Sequence, residues 1–224
     1  MDQDLERLKQ SLLKNQKDNY SGKKGDKLKK LVSDGQHPPF FFIACSDSRY
    51  DPNLFPDLDN GDAFLAEHIA ALVPPYDAPE STAIAAAVDY AVEALKVKHI
   101  IIMGHTHCGG VKGLVEGKGP QKVVDWVSQA KNVLNHLPPS KSFAEKCGHA
   151  EKGTVRWSFE NLKQYPSVAK ALKNGTLQIH GWRYDIESGM VEAWDQDKKD
   201  FSPFFNSGSD KSADTKSKIK PPGR

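Results

Sequence analysis

Two short stretches of the chain consist almost entirely of apolar side chains and predict buried β-strands. Residues 40–44 read Phe-Phe-Phe-Ile-Ala and residues 99–103 read His-Ile-Ile-Ile-Met. Short apolar runs without alternating polar positions are typical of strands whose two faces are both buried in a parallel sheet. Residues 63–66 predict a further strand of the same kind.

Apolar residues recur at helical spacing between these runs, over residues 81–95. The order strand, helix, strand is typical of right-handed βαβ units, so we expect an α/β fold with a mostly parallel central sheet flanked by helices. The pattern predicts further helices over residues 123–137 and around 159–162, and a strand over residues 177–182. Alternating positions on either side of residues 187–189 predict a C-terminal hairpin.

The two ends of the chain differ from this middle part. Near the amino end, four leucines share one face of a predicted helix: Leu5, Leu8, Leu12 and Leu13. Residues 206–224 contain Ser, Lys, Asp, Gly and Pro with almost no apolar side chain, which is typical of disorder. We therefore expect three regions: an N-terminal helical arm over residues 1–34, one folded domain over residues 35–205, and a disordered tail over residues 206–224.

The charge, hydropathy and cysteine content of the chain argue against several classes of function. The 224 residues carry 31 Lys and Arg against 29 Asp and Glu, a net charge that gives no bulk case for a nucleic-acid partner. No run approaches the ~18 apolar residues of a membrane span, so we expect no membrane partner. The polar start shows no secretory signal, and the three cysteines are too few and odd in number for a disulfide framework. We expect a reducing, cytoplasmic location.

Candidate metal ligands follow two of the predicted strands. Residues 45–49 read Cys-Ser-Asp-Ser-Arg, and residues 104–110 read Gly-His-Thr-His-Cys-Gly-Gly. The carboxyl ends of parallel strands meet at one edge of a sheet, where sites form in open α/β folds. Cys45, His105 and Cys108 would together offer two thiolates and one imidazole, a set that suits zinc and leaves a fourth position for water or a carboxylate. The third cysteine, Cys147, has no ligand-spaced partner and is left unassigned.

Asp47 and Arg49 stand two residues apart, close enough to pair. A guanidinium can hold a carboxylate bidentately, and a carboxylate held in this way could accept a hydrogen bond from zinc-bound water. It could also swing to the metal as a fourth ligand. The remaining interpretation is an ordinary surface ion pair, and proximity to a candidate zinc thiolate favours a functional role.

The two motifs together resemble those of the β-class carbonic anhydrases, and the interval from Cys45 to His105 is also similar to that of this family. The similarity runs from about residue 35 to residue 194. Residues 72–76 (Leu-Val-Pro-Pro-Tyr) and 109–114 (Gly-Gly-Val-Lys-Gly-Leu) are most similar to the plant-type branch and its bacterial relatives. The resemblance implies the same mostly parallel sheet with helices, and a catalytic domain over residues 35–205.

The resemblance also implies a role for each matching position. Cys45, His105 and Cys108 would bind one zinc ion per subunit, Asp47 would accept a hydrogen bond from the zinc-bound hydroxide or close the site as a ligand, and Arg49 would orient Asp47. The substrate-binding positions that it implies are Gln36, Phe64, Ile69, Tyr90 and Gly110. Sites of the family lie at dimer interfaces, so we expect a homodimer or higher homo-oligomer in which the N-terminal helix embraces the partner.

The chain departs from the family pattern at residues 67–71. These residues read Glu-His-Ile-Ala-Ala where the family usually has Arg-Asn-x-Ala-Asn, and Tyr50 replaces the usual valine after the motif arginine. In one bacterial branch that missing arginine belongs to an inhibitory bicarbonate site, with a tryptophan before the first cysteine; Phe41 and Phe42 occupy that region here. We therefore do not expect that inhibitory site.

The implied activity is that of a zinc lyase, a carbonate dehydratase. Zinc-bound hydroxide would attack carbon dioxide held in an apolar pocket and give bicarbonate and a proton, reversibly. Two alternatives stay open. One is a hydrolase of carbonyl sulfide or carbon disulfide that uses the same zinc site. The other is a non-catalytic protein with structural zinc, in which Asp47 would be a permanent fourth ligand.

Overall fold

A six-stranded sheet in the order β2-β1-β3-β4-β5-β6 forms the centre of the computed structural model, which describes residues 2–55 and 58–205. β1 pairs in parallel with β2 and with β3, and β3 pairs in parallel with β4. β5 and β6 extend the sheet by antiparallel pairing. The strands are β1 (Phe40–Ala44), β2 (Ala63–Glu67), β3 (His99–His105), β4 (Gln178–Tyr184), β5 (Val191–Asp195) and β6 (Asp200–Pro203).

Helices surround this sheet. The α-helices are α1 (Gln3–Asn19), α2 (Gly22–Asp34), α3 (Thr82–Asp89), α4 (Gly109–Glu116), α5 (Gln121–Val127), α6 (Phe143–Leu162) and α7 (Pro166–Lys173). Shorter 3₁₀ or π turns are Pro52–Leu54, Ile69–Ala71, Pro79–Ser81, Tyr90–Ala94 and Ser128–His136. The prediction of a mostly parallel α/β fold is confirmed, with helices at the amino end and an antiparallel β4–β5 pair near the carboxyl end.

The two apolar runs lie at the centre of the sheet because both of their faces are covered. Phe41 and Ile100 pack into a cluster with α3, α6 and α7 on one face. Phe42 and Ile101 pack into a second cluster with α4 and α5 on the other face. The absence of alternation in the sequence therefore reflects burial on both sides, as expected for inner parallel strands.

Some element boundaries differ from the sequence prediction. The helix predicted over residues 81–95 ends as α3 at Asp89 and continues as the π turn Tyr90–Ala94. The helix predicted over residues 123–137 divides into α5 and the 3₁₀ segment Ser128–His136, with a kink at Ala130. Apolar spacing places a segment against the core, but it does not distinguish a regular α-helix from a kinked one.

The chain ends can be compared with the three expected regions only in part. α1 and α2 occupy the segment predicted as the helical arm, and the division at residues 34 and 205 stays a prediction. The predicted disordered tail, residues 206–224, lies outside the described residues. Within residues 2–55 and 58–205, no helix combines the length and apolar character required to cross a bilayer.

Candidate metal centre

β1 and β3 bring the two sequence motifs to the same edge of the sheet. They are parallel neighbours in a register that sets Ala44 beside Met103, so the chain leaves both strands at the same end. Cys45 directly follows β1, and His105 is the last residue of β3. Cys108 stands immediately before α4. The parallel pairing therefore places the three expected ligands together at the carboxyl ends of the strands, as the sequence predicted.

The three potential ligand atoms form a compact, buried group. The Sγ atoms of Cys45 and Cys108 are 4.0 Å apart, and the ligand atoms of Cys45, His105 and Cys108 all lie within 4.8 Å of one another. The exposed fractions of these residues are 5%, 1% and 3%. Such a group of two thiols and one imidazole can hold a metal ion.

The hydrogen bonding of His105 supports this interpretation. Its Nδ1 lies 2.8 Å from the carbonyl oxygen of Thr106, to which it donates, so the lone pair of the ring belongs to Nε2. Nε2 is buried and has no hydrogen-bond partner among the described residues. A buried polar atom without a partner is costly, and a metal ion bound through Nε2 would remove that cost. The donor set and this orphaned atom both fit zinc.

The contact between the Cys45 and Cys108 thiol groups shifts their pKa values in opposite directions. The pKa of Cys45 is lowered to about 4, first because the Cys108 thiol donates a hydrogen bond to it. The same interaction raises the pKa of Cys108. The backbone N–H of Ala70 also donates to Cys45 Sγ, at 3.3 Å. Cys45 is therefore prepared to act as a thiolate ligand, because only the thiolate binds metal strongly.

Asp47 is held at this group by Arg49. The guanidinium donates from Nε to Oδ1 at 2.8 Å and from Nη2 to Oδ2 at 2.7 Å. Nη2 also donates to the carbonyl oxygen of His107 at 2.9 Å, so Arg49 links the two motif loops. Asp47 Oδ2 lies 3.8 Å from His105 Nε2. The hydrogen bonds from Arg49 lower the pKa of Asp47 to about 2, so Asp47 is a carboxylate and accepts hydrogen bonds.

Tyr50 positions the ends of both strands, a role that the sequence analysis missed. Its buried hydroxyl accepts a hydrogen bond from the N–H of Cys45 and donates one to the carbonyl oxygen of Met103, both at 2.9 Å. Its ring centre is 4.9 Å from that of His105 and 5.5 Å from that of Tyr184. The only sequence signal was an aromatic residue at a position where the resemblance leads one to expect valine.

Residues 67–71, which differ from the family pattern, form a turn that contacts the candidate metal ligand Cys45. Ala70 and Ala71 adopt left-handed φ angles of 62° and 51°, which are unusual for residues other than glycine. The indole N–H of Trp126 donates to the carbonyl oxygen of Ile69 at 2.8 Å and holds this turn in place. A Cβ atom added at Gly110 would lie only 2.6 Å from Ile69 Cγ2. Gly110 is thus the residue that lets α4 approach this turn.

The predicted substrate positions fall into three groups. Ile69 and Gly110 lie together beside the turn that donates to Cys45. Phe64 and Tyr90 contact each other, with ring centres 5.8 Å apart. Gln36 is exposed and precedes β1, so it stands at the opposite end of that strand from Cys45. Within one chain, the structure does not bring Gln36 to the metal group.

Two cavities adjoin the 67–71 segment. One, of about 360 Å³, is polar and is lined by Asp47, Arg49, Tyr50 and Glu67, among others. The other, of about 610 Å³, is lined mainly by apolar groups that include Ile69, Val123 and Trp126. Burial raises the pKa of Glu67 above its ordinary value. Glu67 is thus an acidic residue in the wall of the cavity that Asp47 also lines.

Comparisons with known proteins agree with this geometry. The family profile described as "Carbonic anhydrase" matches residues 40–191. The chain is 33% identical over 204 residues to beta carbonic anhydrase 3 of Arabidopsis thaliana, with 87% of this chain and 78% of that protein covered. It is 37% identical over 177 residues to a carbonic anhydrase of Synechocystis, with 76% of this chain covered; the match spans 64% of that relative, just under two thirds of its length.

Solved structures show the same similarity. The structure of the β-carbonic anhydrase CcaA superposes with a TM-score of 0.82 at 32% identity, covering 92% of this chain and 94% of that chain. A chain from the crystal structures of two tetrameric β-carbonic anhydrases of Sordaria macrospora superposes with a TM-score of 0.67 at 27% identity, covering 84% and 92%. Taken with the buried Cys-His-Cys group, these matches show that the chain belongs to the carbonic anhydrases, an enzyme family, and within it to the β class.

Proposed function

We propose that the protein catalyses the reversible hydration of carbon dioxide to bicarbonate and a proton, with one zinc ion per subunit held by Cys45, His105 and Cys108. The observation that carries this proposal is the placement of Asp47. Its carboxylate is fixed by Arg49 and lies 3.8 Å from the unpartnered Nε2 of His105. In a structural zinc site Asp47 would be a permanent fourth ligand, whereas here Arg49 holds both of its carboxylate oxygens.

Each residue of the site has a task in this reaction. When bound, zinc would supply a Lewis acid that lowers the pKa of water to near 7. Asp47 accepts a hydrogen bond from the reacting water and thereby directs an oxygen lone pair toward the carbon of carbon dioxide. Arg49 fixes both carboxylate oxygens of Asp47, which limits its freedom to rotate. Addition of the oxygen to carbon gives bicarbonate, and one proton leaves to solvent.

The bidentate grip of Arg49 also bears on whether Asp47 itself binds the metal. As a metal ligand, Asp47 would have to turn its carboxylate and break at least one of two short charge-assisted hydrogen bonds. We therefore propose an orienting role for the Asp47–Arg49 dyad. The alternative to this role is a site in which Asp47 binds the metal as its fourth ligand and leaves no position for water.

Carbon dioxide is small and uncharged, so an apolar surface beside the ligands suits it. We propose that Ile69 and Gly110 form this surface, because both adjoin the turn that contacts Cys45. Phe64 and Tyr90 form a second apolar group next to the first core cluster. A contribution from Gln36 would require a second copy of the chain.

We further propose that the protein acts as a homodimer or higher homo-oligomer. The leucine face of α1 is more than half exposed, which is unusual for four clustered large apolar residues. The similar β-carbonic anhydrases of Sordaria macrospora are tetrameric.

A stopped-flow assay of carbon dioxide hydration on protein with measured zinc content tests the main proposal. We expect turnover proportional to zinc content. Zinc-replete protein without turnover would refute the proposal. Assays of carbonyl sulfide and carbon disulfide on the same preparation test the hydrolase alternative, for which the changes at residues 67–71 leave room. The variant Asp47→Ala separates catalysis from structural zinc: catalysis predicts retained zinc with lost turnover, whereas a structural site predicts loss of both zinc and fold.

A further inference from the structure

A second cavity with a distinct chemical character lies between α6, the 3₁₀ segment Ser128–His136 and the β5–β6 hairpin. Its volume is about 150 Å³, and none of the three candidate metal ligands lines it. Basic and aromatic side chains dominate its wall: His136, His149, Lys152, Arg156, Trp194 and Lys199. A volume of this size accommodates one small polyatomic ion.

Three elements of the fold, α6, the β5–β6 turn and the 3₁₀ segment, bring these basic side chains together. His149, Lys152 and Arg156 are spaced by three and four residues along α6, so they share one helical face. Lys199 comes from the turn between β5 and β6, where it adopts a left-handed φ of 54°. His136 ends the 3₁₀ segment. Residues distant in sequence thus place positive groups around a single cavity.

Carboxylates neutralise only part of this cluster. Lys152 pairs with Glu192 at 2.7 Å. In the described part of the chain, no carboxylate oxygen lies within 4 Å of the charged groups of Arg156 or Lys199. Asp200 is the acidic residue in the wall, and its Oδ1 accepts the N–H of Phe201 at 2.8 Å. The cavity therefore keeps an excess of positive charge.

The guanidinium of Arg156 also contacts an aromatic ring in the cavity wall. It lies 5.8 Å from the ring centre of Trp194, within the range of a cation–π contact. Trp194 also lines the cavity. The cavity thus contains a guanidinium that has no carboxylate of the described residues within 4 Å and that lies against an aromatic ring of the same wall.

We propose that this cavity binds one phosphate-sized oxyanion, either inorganic phosphate or the phosphoryl group of a small phosphate monoester. Arg156 engages two oxygens through its N–H edge, and Lys199 supplies the second charge. The inference is independent of the reaction proposed for the metal centre, because it uses none of the same residues.

Isothermal titration calorimetry with inorganic phosphate on the zinc-loaded protein tests this proposal. We expect saturable binding of one phosphate per subunit. Arg156→Gln should weaken that binding about tenfold or more, as expected for loss of charge-assisted hydrogen bonds. The matched control is Lys170→Gln on α7, an exposed lysine outside the cavity, which removes the same charge and should leave binding unchanged.

The outcomes separate clearly. Binding that never saturates, or that Lys170→Gln weakens as much as Arg156→Gln does, would overturn the proposal by reducing it to general charge attraction. Circular dichroism checks whether Arg156→Gln folds. If that variant does not fold, Lys199→Gln on the hairpin turn replaces it, and the same weakening of phosphate binding is expected. Tighter binding of glycerol phosphate than of inorganic phosphate would identify a monoester as the ligand, and the reverse order would identify free phosphate.

Discussion

The metal edge of the sheet, formed by Cys45, His105 and Cys108, differs from the N-terminal helix α1 in how far contacts within one chain bury its side chains. At the metal edge, Cys45 and His105 are buried, and neighbouring groups fix their positions. On α1, Leu8 is 53% exposed and Leu12 is 59% exposed, and the helix buries none of its residues. The three candidate ligands are therefore brought together within one chain, whereas the leucine face of α1 is left exposed by that chain.

This difference separates the chemistry from the assembly. Contacts within the subunit determine whether the ligands can hold a metal, so variants there should change metal content and turnover directly. Variants on α1 should change association and leave the ligand geometry intact. The predictions below test that separation in order of decreasing expected effect.

Cys45→Ser should have the largest effect. A neutral hydroxyl cannot replace a thiolate on zinc. Loss of a residue that only hydrogen-bonds to a metal ligand lowers metal affinity about 10–100-fold, so we expect a larger fall in zinc affinity here, with loss of turnover. Zinc analysis after dialysis against a chelator measures this. Cys147→Ser is the matched control, because Cys147 lies on α6 outside the ligand group. Full zinc retention by Cys45→Ser would disprove the ligand assignment.

Asp47→Asn should lower turnover while the zinc stays bound. An amide is uncharged and offers Arg49 one acceptor oxygen instead of two. It therefore cannot keep both hydrogen bonds, and the orientation of the reacting water is lost. We expect kcat/KM for carbon dioxide to fall about 10²-fold, the loss typical of a misplaced reacting group. Asp51→Asn, in the wall of the same cavity but without the Arg49 contact, serves as the control. Unchanged kcat/KM in Asp47→Asn would exclude the dyad.

The sequence alone predicted most of this edge for a definable physical reason. Unbroken apolar runs identified β1 and β3 as inner parallel strands, and parallel strands must deliver Cys45 and His105 to the same edge. Tyr50 escaped notice because its role depends on two backbone groups, the N–H of Cys45 and the carbonyl of Met103, that only the folded register brings together. The cluster around Arg156 escaped notice for the same reason: its members come from three separate elements.

Tyr50→Phe tests how strongly the strand ends are fixed. The change leaves the N–H of Cys45 and the carbonyl of Met103 without their partner in a buried region, so we expect the free energy of unfolding to fall by about 1–3 kcal/mol. Denaturant unfolding of the zinc-loaded protein measures it. Tyr184→Phe removes a hydroxyl from the adjacent stacked ring, for which no hydrogen bond is formed among the described residues, and should cost less. Equal losses in the two variants would argue against the bridging role of Tyr50.

The Asp47–Arg49 pair should also contribute a pH-dependent part of the stability. The pKa of Asp47 is about 2 in the folded protein, below its ordinary value of 3.8. A lowered pKa stabilises the folded state fully above the unfolded value, and that stabilisation is lost as the pH falls from about 4 toward 2. Asp47→Asn should therefore show a shallower loss of stability over this range, measured by thermal unfolding at successive pH values. A slope identical to that of the parent protein would contradict the pKa shift.

The smallest effect on the subunit itself should come from α1. Replacing Leu8 and Leu12 with Gln removes apolar surface that is already exposed, so we expect the unfolding free energy of the subunit to change by no more than about 0.5 kcal/mol. Association should nevertheless weaken, which light scattering after size exclusion would show as a lower mass. Arg7→Gln and Lys14→Gln, exposed positions on the same helix that do not line the leucine groove, form the control. A dissociated variant that retains its zinc would establish that the ligand group is complete without the partner. Loss of zinc on dissociation would show instead that assembly is needed to shape the metal edge.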